Sequence, residues 1–186
     1  MLSWVCMKLI ICVNNNGRCF TMLSKLKPDQ YYQDIFTIDL NSLKKEGIKG
    51  LICDIDNTIV HWSEDSVIEE VADWFAEIEK HGFKICLVSN GIDKRVKYFS
   101  NELSLPAIGQ AVKPAKRAFK LAQKMLELRD DQIAVVGDQI FTDVYGGNRM
   151  GFRTILVDPM SDKELFTTKF MRSLENLVFK RRGKYE

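Results

Sequence analysis

The sequence predicts an α/β fold, a Rossmann-like three-layer α/β/α sandwich around a mainly parallel sheet, and three observations carry that expectation. From Lys49 onward, short β-branched runs alternate with amphipathic segments for about a hundred residues, the pattern that builds a parallel sheet covered by helices. Several of the strand candidates are apolar along their whole length, as strands buried on both faces are. A chain of 186 residues is long enough for one well-buried domain and too short for two comfortable ones.

The elements follow in order. The first strand is read over residues 48–54. A helix is expected from about Ser66, where Ser66 and Glu69 have capping-box spacing and Val67, Val71, Trp74, Phe75 and Ile78 form one apolar stripe; His81 and Gly82 close it. Lys84 to Val88 reads as a buried strand, followed by a polar helix over Asp93 to Glu102 and a short strand at Ala107 and Ile108. Lys113-Pro114 is expected to open a helix running to about residue 128. Residues 133–136 are the next strand and 142–150 the next helix, in which Gly146-Gly147 would allow close approach to the sheet. Arg153 to Val157 is the last strand.

Residues 1–21 are read as an uncertain N-terminal extension outside the single domain, 22–186. Leu2 to Val13 is apolar apart from Ser3 and Lys8, too short to span a bilayer. As a signal peptide it would be poorly formed, because its charge lies inside the apolar run and Asn14-Asn15-Asn16-Gly17-Arg18 is no small-residue cleavage site. The preferred reading is an overlong gene boundary, with Met22 as initiator. At the other end, in segment 162–186, Phe166, Phe170, Leu174, Leu177 and Val178 share one helical face among Lys163, Lys169, Arg172, Lys180, Arg181 and Arg182. A basic amphipathic helix of this kind lies on an anionic membrane or docks its apolar face on the flank of the sheet.

With 27 basic and 25 acidic side chains the formal charge is +2, so nothing demands nucleic acid as a partner. The five cysteines form no CxxC pair, and with two histidines there is no soft-metal cluster. A reducing, cytoplasmic compartment fits, with Cys53 and Cys86 as small buried hydrophobes.

In open parallel sheets, ligands bind where the carboxyl ends of strands meet the following loops, so the polar residues just after each strand are the candidates. Asp54-Ile55-Asp56-Asn57-Thr58 puts two carboxylates on alternate residues at a strand end, both able to face one pocket while Ile55 turns into the core. Two like charges that close need a cation, and a divalent hard metal with oxygen ligands supplies it; the plain alternative is a polar turn. Ser89-Asn90 follows the next strand, where a hydroxyl and backbone N–H groups can hold a phosphoryl oxygen. Lys113 can bring a fixed ammonium to the same pocket. Gly137 to Asp143 supplies a carboxylate, Asp138, directly after an apolar strand and a second, Asp143, five residues on. Asp143 would also be favoured in a first helical turn for structural reasons alone.

Asp54 to Thr58, Ser89, Lys113 and Gly137 to Asp143 resemble the four motifs of the haloacid dehalogenase (HAD) superfamily, in order and within about ninety residues. From Met22 onward the chain is similar to the YqeG family of subfamily IIIA, phosphatases related to mitochondrial phosphatidylglycerophosphate phosphatase. The resemblance implies a HAD-like core and a magnesium-dependent phosphate monoester hydrolase working through an aspartyl-phosphate. Asp54 would attack phosphorus, and Asp56 would protonate the leaving alkoxide and then activate water. Thr58, Ser89 and Asn90 would contact the substrate, and Lys113 would balance charge. Asp54, the main-chain carbonyl of Asp56, and Asp138 would hold Mg2+, with Asp143 supporting the metal water or Lys113 from behind.

Only 32 residues separate Asp56 from Ser89 and 22 separate Asn90 from Lys113, so no cap domain fits at either place. An open site favours a bulky substrate such as a lipid headgroup, a protein or a polysaccharide, with phosphatidylglycerophosphate the one the resemblance suggests and peripheral membrane contact its corollary. The rival substrates are soluble sugar, nucleotide or protein phosphates, since a second subunit can supply a lid. A noncatalytic interaction protein on the same fold is the reading from another class, disfavoured because Asp54, Asp56 and Asp138 are all present. Trp62 and His61, just after the first motif, are expected to pack rather than touch substrate.

Overall fold

The computed structural model describes residues 11–13, 19–63 and 66–160, with side chains from Ser24 onward; the amphipathic segment expected over 162–186 lies outside them. Strands β1 (Ile11–Val13) and β2 (Cys19–Thr21) form an antiparallel pair of their own. The main sheet has six strands: β3 (Gln30–Tyr32), β4 (Gly50–Cys53), β5 (Lys84–Val88), β6 (Ala107–Ile108), β7 (Ile133–Gly137) and β8 (Arg153–Val157). Their order is β3-β8-β7-β4-β5-β6 and every pairing is parallel. Five helices are described: α1 (Leu40–Lys45), α2 (Glu69–Lys80), α3 (Asp93–Glu102), α4 (Lys116–Leu126) and α5 (Tyr145–Met150).

The strands' period of two sorts their side chains into two cores, one on each face. Leu51, Cys53, Ile85, Leu87, Ala134 and Val136 pack with Val71, Trp74, Phe75 and Ile78 of α2 and with Val96 and Phe99 of α3. Ile52, Cys86, Val88 and Val135, from the alternate positions, pack with Ala118, Phe119, Ala122 and Leu126 of α4. Helices cover both faces, giving the three layers read from the sequence. Among the described residues, a loop and α2 fill the stretch between β4 and β5, and α3 and β6 fill that between Asn90 and Lys113; no cap is inserted at either position.

β4 is central. The chain leaves it through β5 and β6 on one side and returns through β7 and β8 on the other, which makes the carboxyl end of β4 the topological switch point where ligands bind in such sheets. Gly147 and Gly146 show why two glycines stand together in α5. A Cβ on Gly147 would lie 2.8 Å from Thr154 Cγ2 and 3.0 Å from Val135 Cγ2 on the sheet, and one on Gly146 would meet the Phe119 ring of α4, 2.6 Å from its Cζ.

Several boundaries differ from expectation. The Ser66 and Glu69 capping box is not made: Ile68 is the N-cap, without a side-chain cap. Ser66 stands two residues too early, and Glu69 and Glu70 instead place negative charge against the helix dipole. α4 begins at Lys116, because residues 113–114 form a turn with a cis peptide, closed by Ala115 N donating to Val112 O at 2.9 Å. It ends at Leu126, where Glu127 turns left-handed. A single π-helical turn, Ile140–Val144, precedes α5. β3 and α1, the latter capped by Asp39 accepting from Ser42 N at 2.9 Å, were not anticipated.

Candidate active site

Asp54 still belongs to the ladder: its N–H donates to Val136 O at 3.0 Å. Ile55 is fully buried, and its carbonyl accepts from the N–H groups of Ile59 and Val60 at 3.1 and 3.2 Å. Asn57 sits at φ 62, a left-handed position that asparagine adopts more readily than most residues. This tight turn separates the two acids and gives each its own set of partners.

Around Asp54 lies a buried cluster. Lys113 Nζ is 2.6 Å from Asp54 Oδ1 and 2.7 Å from Asp143 Oδ1. The other oxygen of Asp143 accepts from Gln139 N at 3.2 Å and Thr142 Oγ1 at 3.1 Å. Gly137 must be glycine for this to fit, since a Cβ there would be 2.6 Å from the Cβ of Asp143 and nearer still to its carboxyl group. Asp138 N donates to Thr58 Oγ1 at 3.1 Å, and that hydroxyl donates to Asp138 Oδ1 at 3.3 Å.

Oxygens of Asp54, Asp138 and Asp143 lie within 4.8 Å of one another, with one ammonium among them. Burial pushes the Asp54 carboxyl up to about 7, with Lys113 pulling the other way and Asp143 adding to the rise. Burial, reinforced by Asp54 and Asp143, pushes Asp138 up to about 8. Burial also works against charge on Lys113, but Asp143 and Asp54 outweigh it and hold its pKa above the ordinary lysine value. Two buried carboxylates on the one ammonium, with the half-buried Asp138 beside them, leave negative charge uncompensated, and an all-oxygen donor set suits a hard divalent cation.

Asp56 faces elsewhere. Its Oδ2 accepts from Ser89 Oγ at 2.9 Å and its Oδ1 from Arg95 Nε at 3.0 Å. Arg95, in α3, also donates to the carbonyl of His61 at 3.1 Å and lies 4.9 Å over the Phe99 ring. A guanidinium anchored on three sides fixes a carboxylate better than a mobile lysine would. Ser89 Oγ accepts from Gly91 N at 2.8 Å.

The structure thus gathers Asp54, Lys113, Asp138 and Asp143 in one cluster, joins Asp56 to Ser89 beside it, and sets Thr58 against Asp138. Asn90, expected on the substrate, has both ends of its amide on the main chain of Lys113: Lys113 N donates to its Oδ1 at 2.7 Å and its Nδ2 donates to Lys113 O at 3.4 Å. It is a clamp on the lysine. Asp143, expected to support Lys113 or the metal water, lies 2.7 Å from the Lys113 ammonium, and the carboxylate of Asp56 lies outside the group formed by Asp54, Asp138 and Asp143. Trp62 packs only in part: it is 53% exposed, with its ring centroid 5.9 Å from that of His61, and His61 finds a partner in Ser63 Oγ at 2.6 Å. Cys53 and Cys86 are free and buried. Burial pushes both thiols up, Cys86 to about 12, which leaves them inert at neutral pH. Arg95 is the residue that sequence reasoning missed, because a lone cation on a polar helix carries no signal of its partner.

Known proteins resemble this chain over most of its length. A family model described as HAD-hydrolase-like matches residues 110–161, and one described as mitochondrial PGP phosphatase matches residues 10–107. A Bacillus subtilis (strain 168) protein named "Probable phosphatase YqeG" is 42% identical over 159 residues, covering 84% of this chain and 92% of that protein. Phosphatidylglycerophosphate phosphatase 1 of Arabidopsis thaliana, chloroplastic/mitochondrial, is 29% identical over 170 residues. That match covers 83% of this chain and 47% of the plant protein, so the chain spans about half that relative's length. An uncharacterized protein from Listeria monocytogenes serotype 4b shares the fold, with a TM-score of 0.50 at 16% identity over 63% of this chain and 85% of that one.

Proposed function

The chain belongs to the HAD phosphatases of the YqeG family, and we propose that Asp54 and Asp56 divide the hydrolysis of a phosphate monoester between them. The observation that carries this is the contrast in their partners: Lys113 holds Asp54 inside the buried cluster, whereas Arg95 and Ser89 hold Asp56 at its margin.

Asp54 attacks phosphorus, and the bond from phosphorus to the ester oxygen breaks as Asp56 delivers a proton to that oxygen. Water then attacks the phosphorus of the aspartyl-phosphate, Asp56 takes its proton, and inorganic phosphate leaves with the Asp54 carboxylate restored. Lys113 keeps positive charge beside the reacting oxygens through both steps. Asn90 holds the main chain of that lysine, Arg95 fixes the direction of Asp56, and Ser89 and Thr58 turn their hydroxyls to phosphoryl oxygens when substrate arrives. Asp54, Asp138 and the main-chain carbonyl of Asp56 would hold Mg2+, with Asp143 supporting them, and the ion when bound supplies charge neutralisation for carboxylates and phosphate alike.

The substrate we propose is phosphatidylglycerophosphate, taken at a membrane to which the protein binds peripherally from the cytoplasmic side. Support comes from the uncapped mouth and from the plant relative's name. Among the described residues, no helix is long and apolar enough to cross a membrane. The test is phosphate release, with and without magnesium, from phosphatidylglycerophosphate in mixed micelles, sugar phosphates, nucleotides and a phosphopeptide. Metal-dependent preference for the lipid is expected. Preference for a soluble ester would keep the chemistry and overturn the lipid.

A further inference from the structure

Around the mouth of the site, apolar side chains face outward from the strand-end loops. Trp62 follows β4, Ile92 follows β5 and Val112 follows β6, three neighbouring strands of the sheet, and they are 53, 66 and 71% exposed. Val112 and Ile92 are the two most exposed large hydrophobic side chains among the described residues. Hydrogen bonds tie the loops into one surface. Gln110 N donates to Gly91 O and Ala111 N to Ser89 O, each at 3.0 Å, and Arg95 reaches across to the carbonyl of His61. Exposed hydrophobic residues scattered singly need no explanation. A set on contiguous strand ends, beside the reactive carboxylates, marks an interaction surface.

Val112 adds an independent sign. It is β-branched, yet it sits at φ 54, a left-handed conformation that β-branched residues adopt only at a cost, and its exposed side chain recovers little of that cost by packing. The strained residue stands directly before Lys113.

Charge decides what the surface fits. Lys94 follows Ile92 by two residues, and Lys116 and Arg117 open α4, whose first turn holds no acidic residue. All three are exposed; the acids nearest in the sequence are Asp93, directly after Ile92, and Glu64 and Asp65, two and three residues after Trp62. Cations at helix N-termini add to the positive end of the dipole and concentrate positive potential on the Val112 side of the rim, where α4 begins without an acid. Apolar tips flanked by cations match an anionic phospholipid interface, whose acyl boundary takes the tips and whose phosphates take the cations.

We propose that the loops bearing Trp62, Ile92 and Val112 form a docking rim that seats the open catalytic mouth on an anionic bilayer. A phosphomonoester headgroup then reaches Asp54 without its lipid leaving the membrane. The inference rests on the lipid reading above.

The test is flotation of the full-length protein with vesicles of phosphatidylcholine alone and of phosphatidylcholine mixed with phosphatidylglycerol, comparing wild type with Trp62→Ser, with the pair Ile92→Ser and Val112→Gly, and with the pair Lys116→Gln and Arg117→Gln. Hydrolysis of p-nitrophenyl phosphate, followed in parallel, reports whether each variant is folded and competent. The apolar variants are expected to bind the mixed vesicles about tenfold more weakly or worse while hydrolysing the soluble ester as wild type does. The charge variant is expected to lose the preference for anionic vesicles and the salt dependence that goes with it. Rim variants that float like wild type overturn the rim, whatever the substrate proves to be. Rim variants that change only the protein's mass in solution make the surface a contact between copies and also overturn it. A wild type that binds vesicles through the rim yet hydrolyses only soluble esters supports the rim and overturns the lipid as substrate.

Discussion

Asp54 and Asp56 leave the same strand two residues apart and meet different surroundings. The Asp54 side chain is 6% exposed and lies 2.6 Å from the Lys113 ammonium, in a cluster with two further acids. The Asp56 side chain is 30% exposed, and a hydroxyl and a guanidinium hold it from the α3 side. The motif's alternation places the pair, and in the proposed mechanism their partners divide the labour. A carboxylate locked in position among charges suits attack on phosphorus, and one that is tethered yet open to water suits proton transfer.

The largest expected break of this contrast is Asp54→Asn. Turnover should fall by about 10⁴-fold or more while circular dichroism reports an unchanged fold, because Lys113 keeps its pair with Asp143. Wild-type turnover in this variant would remove the inner role entirely. Next is Lys113→Met, which leaves the buried Asp54 and Asp143, and the half-buried Asp138, with no ammonium. Denaturant unfolding of the metal-free protein should show a loss of about 3–5 kcal/mol, part of it restored by magnesium.

On the outer side, Arg95→Met should lower kcat about ten- to a hundredfold with KM little changed, and Arg95→Lys should recover part of the loss. Equal changes in kcat and thermal stability, with no recovery by lysine, would make Arg95 a packing residue only.

The pH dependence of stability sharpens the electrostatic side of the comparison. Unfolded aspartates release their protons near pH 4, whereas burial holds Asp54 and Asp138 at about 7 and about 8 in the fold. Between those limits the folded state binds more protons than the unfolded one. The stability of the metal-free protein should therefore fall as pH rises from about 4 to 8, on the order of 1 kcal/mol per pH unit for each proton, and level off above. Thermal melts across that range should show the slope without magnesium and a flatter profile with it.

Much of this site was legible in the sequence because its acids announce themselves by position. Asp54 and Asp138 follow apolar runs that read as buried strands, Asp143 stands five residues after Asp138, and Lys113 stands beside a proline expected to open a helix. What stayed hidden depends on contacts that no local pattern records. β3, only Gln-Tyr-Tyr, is a strand because β8 offers it a parallel edge, and α1 is too short to show a period. The amide of Asn90 could serve a phosphate or a backbone equally well, and its bonds to the main chain of Lys113 follow from the approach of the residue 113 turn, which no local pattern records. Arg95 and Asp56 are 39 residues apart in the chain and meet through the packing of α3. Trp62 reads as a packing residue by type, and it stands 53% exposed.

The most direct test of the division of labour is to trap its intermediate. Asp56→Asn, mixed with magnesium and p-nitrophenyl phosphate, whose leaving group needs little help from an acid, should form the aspartyl-phosphate faster than it is hydrolysed. Rapid quench and peptide mass spectrometry should then find a phosphoryl adduct on the peptide carrying Asp54, absent when Asp54→Asn is added to the same chain. Steady wild-type hydrolysis by Asp56→Asn, or an adduct that survives Asp54→Asn, would contradict the account.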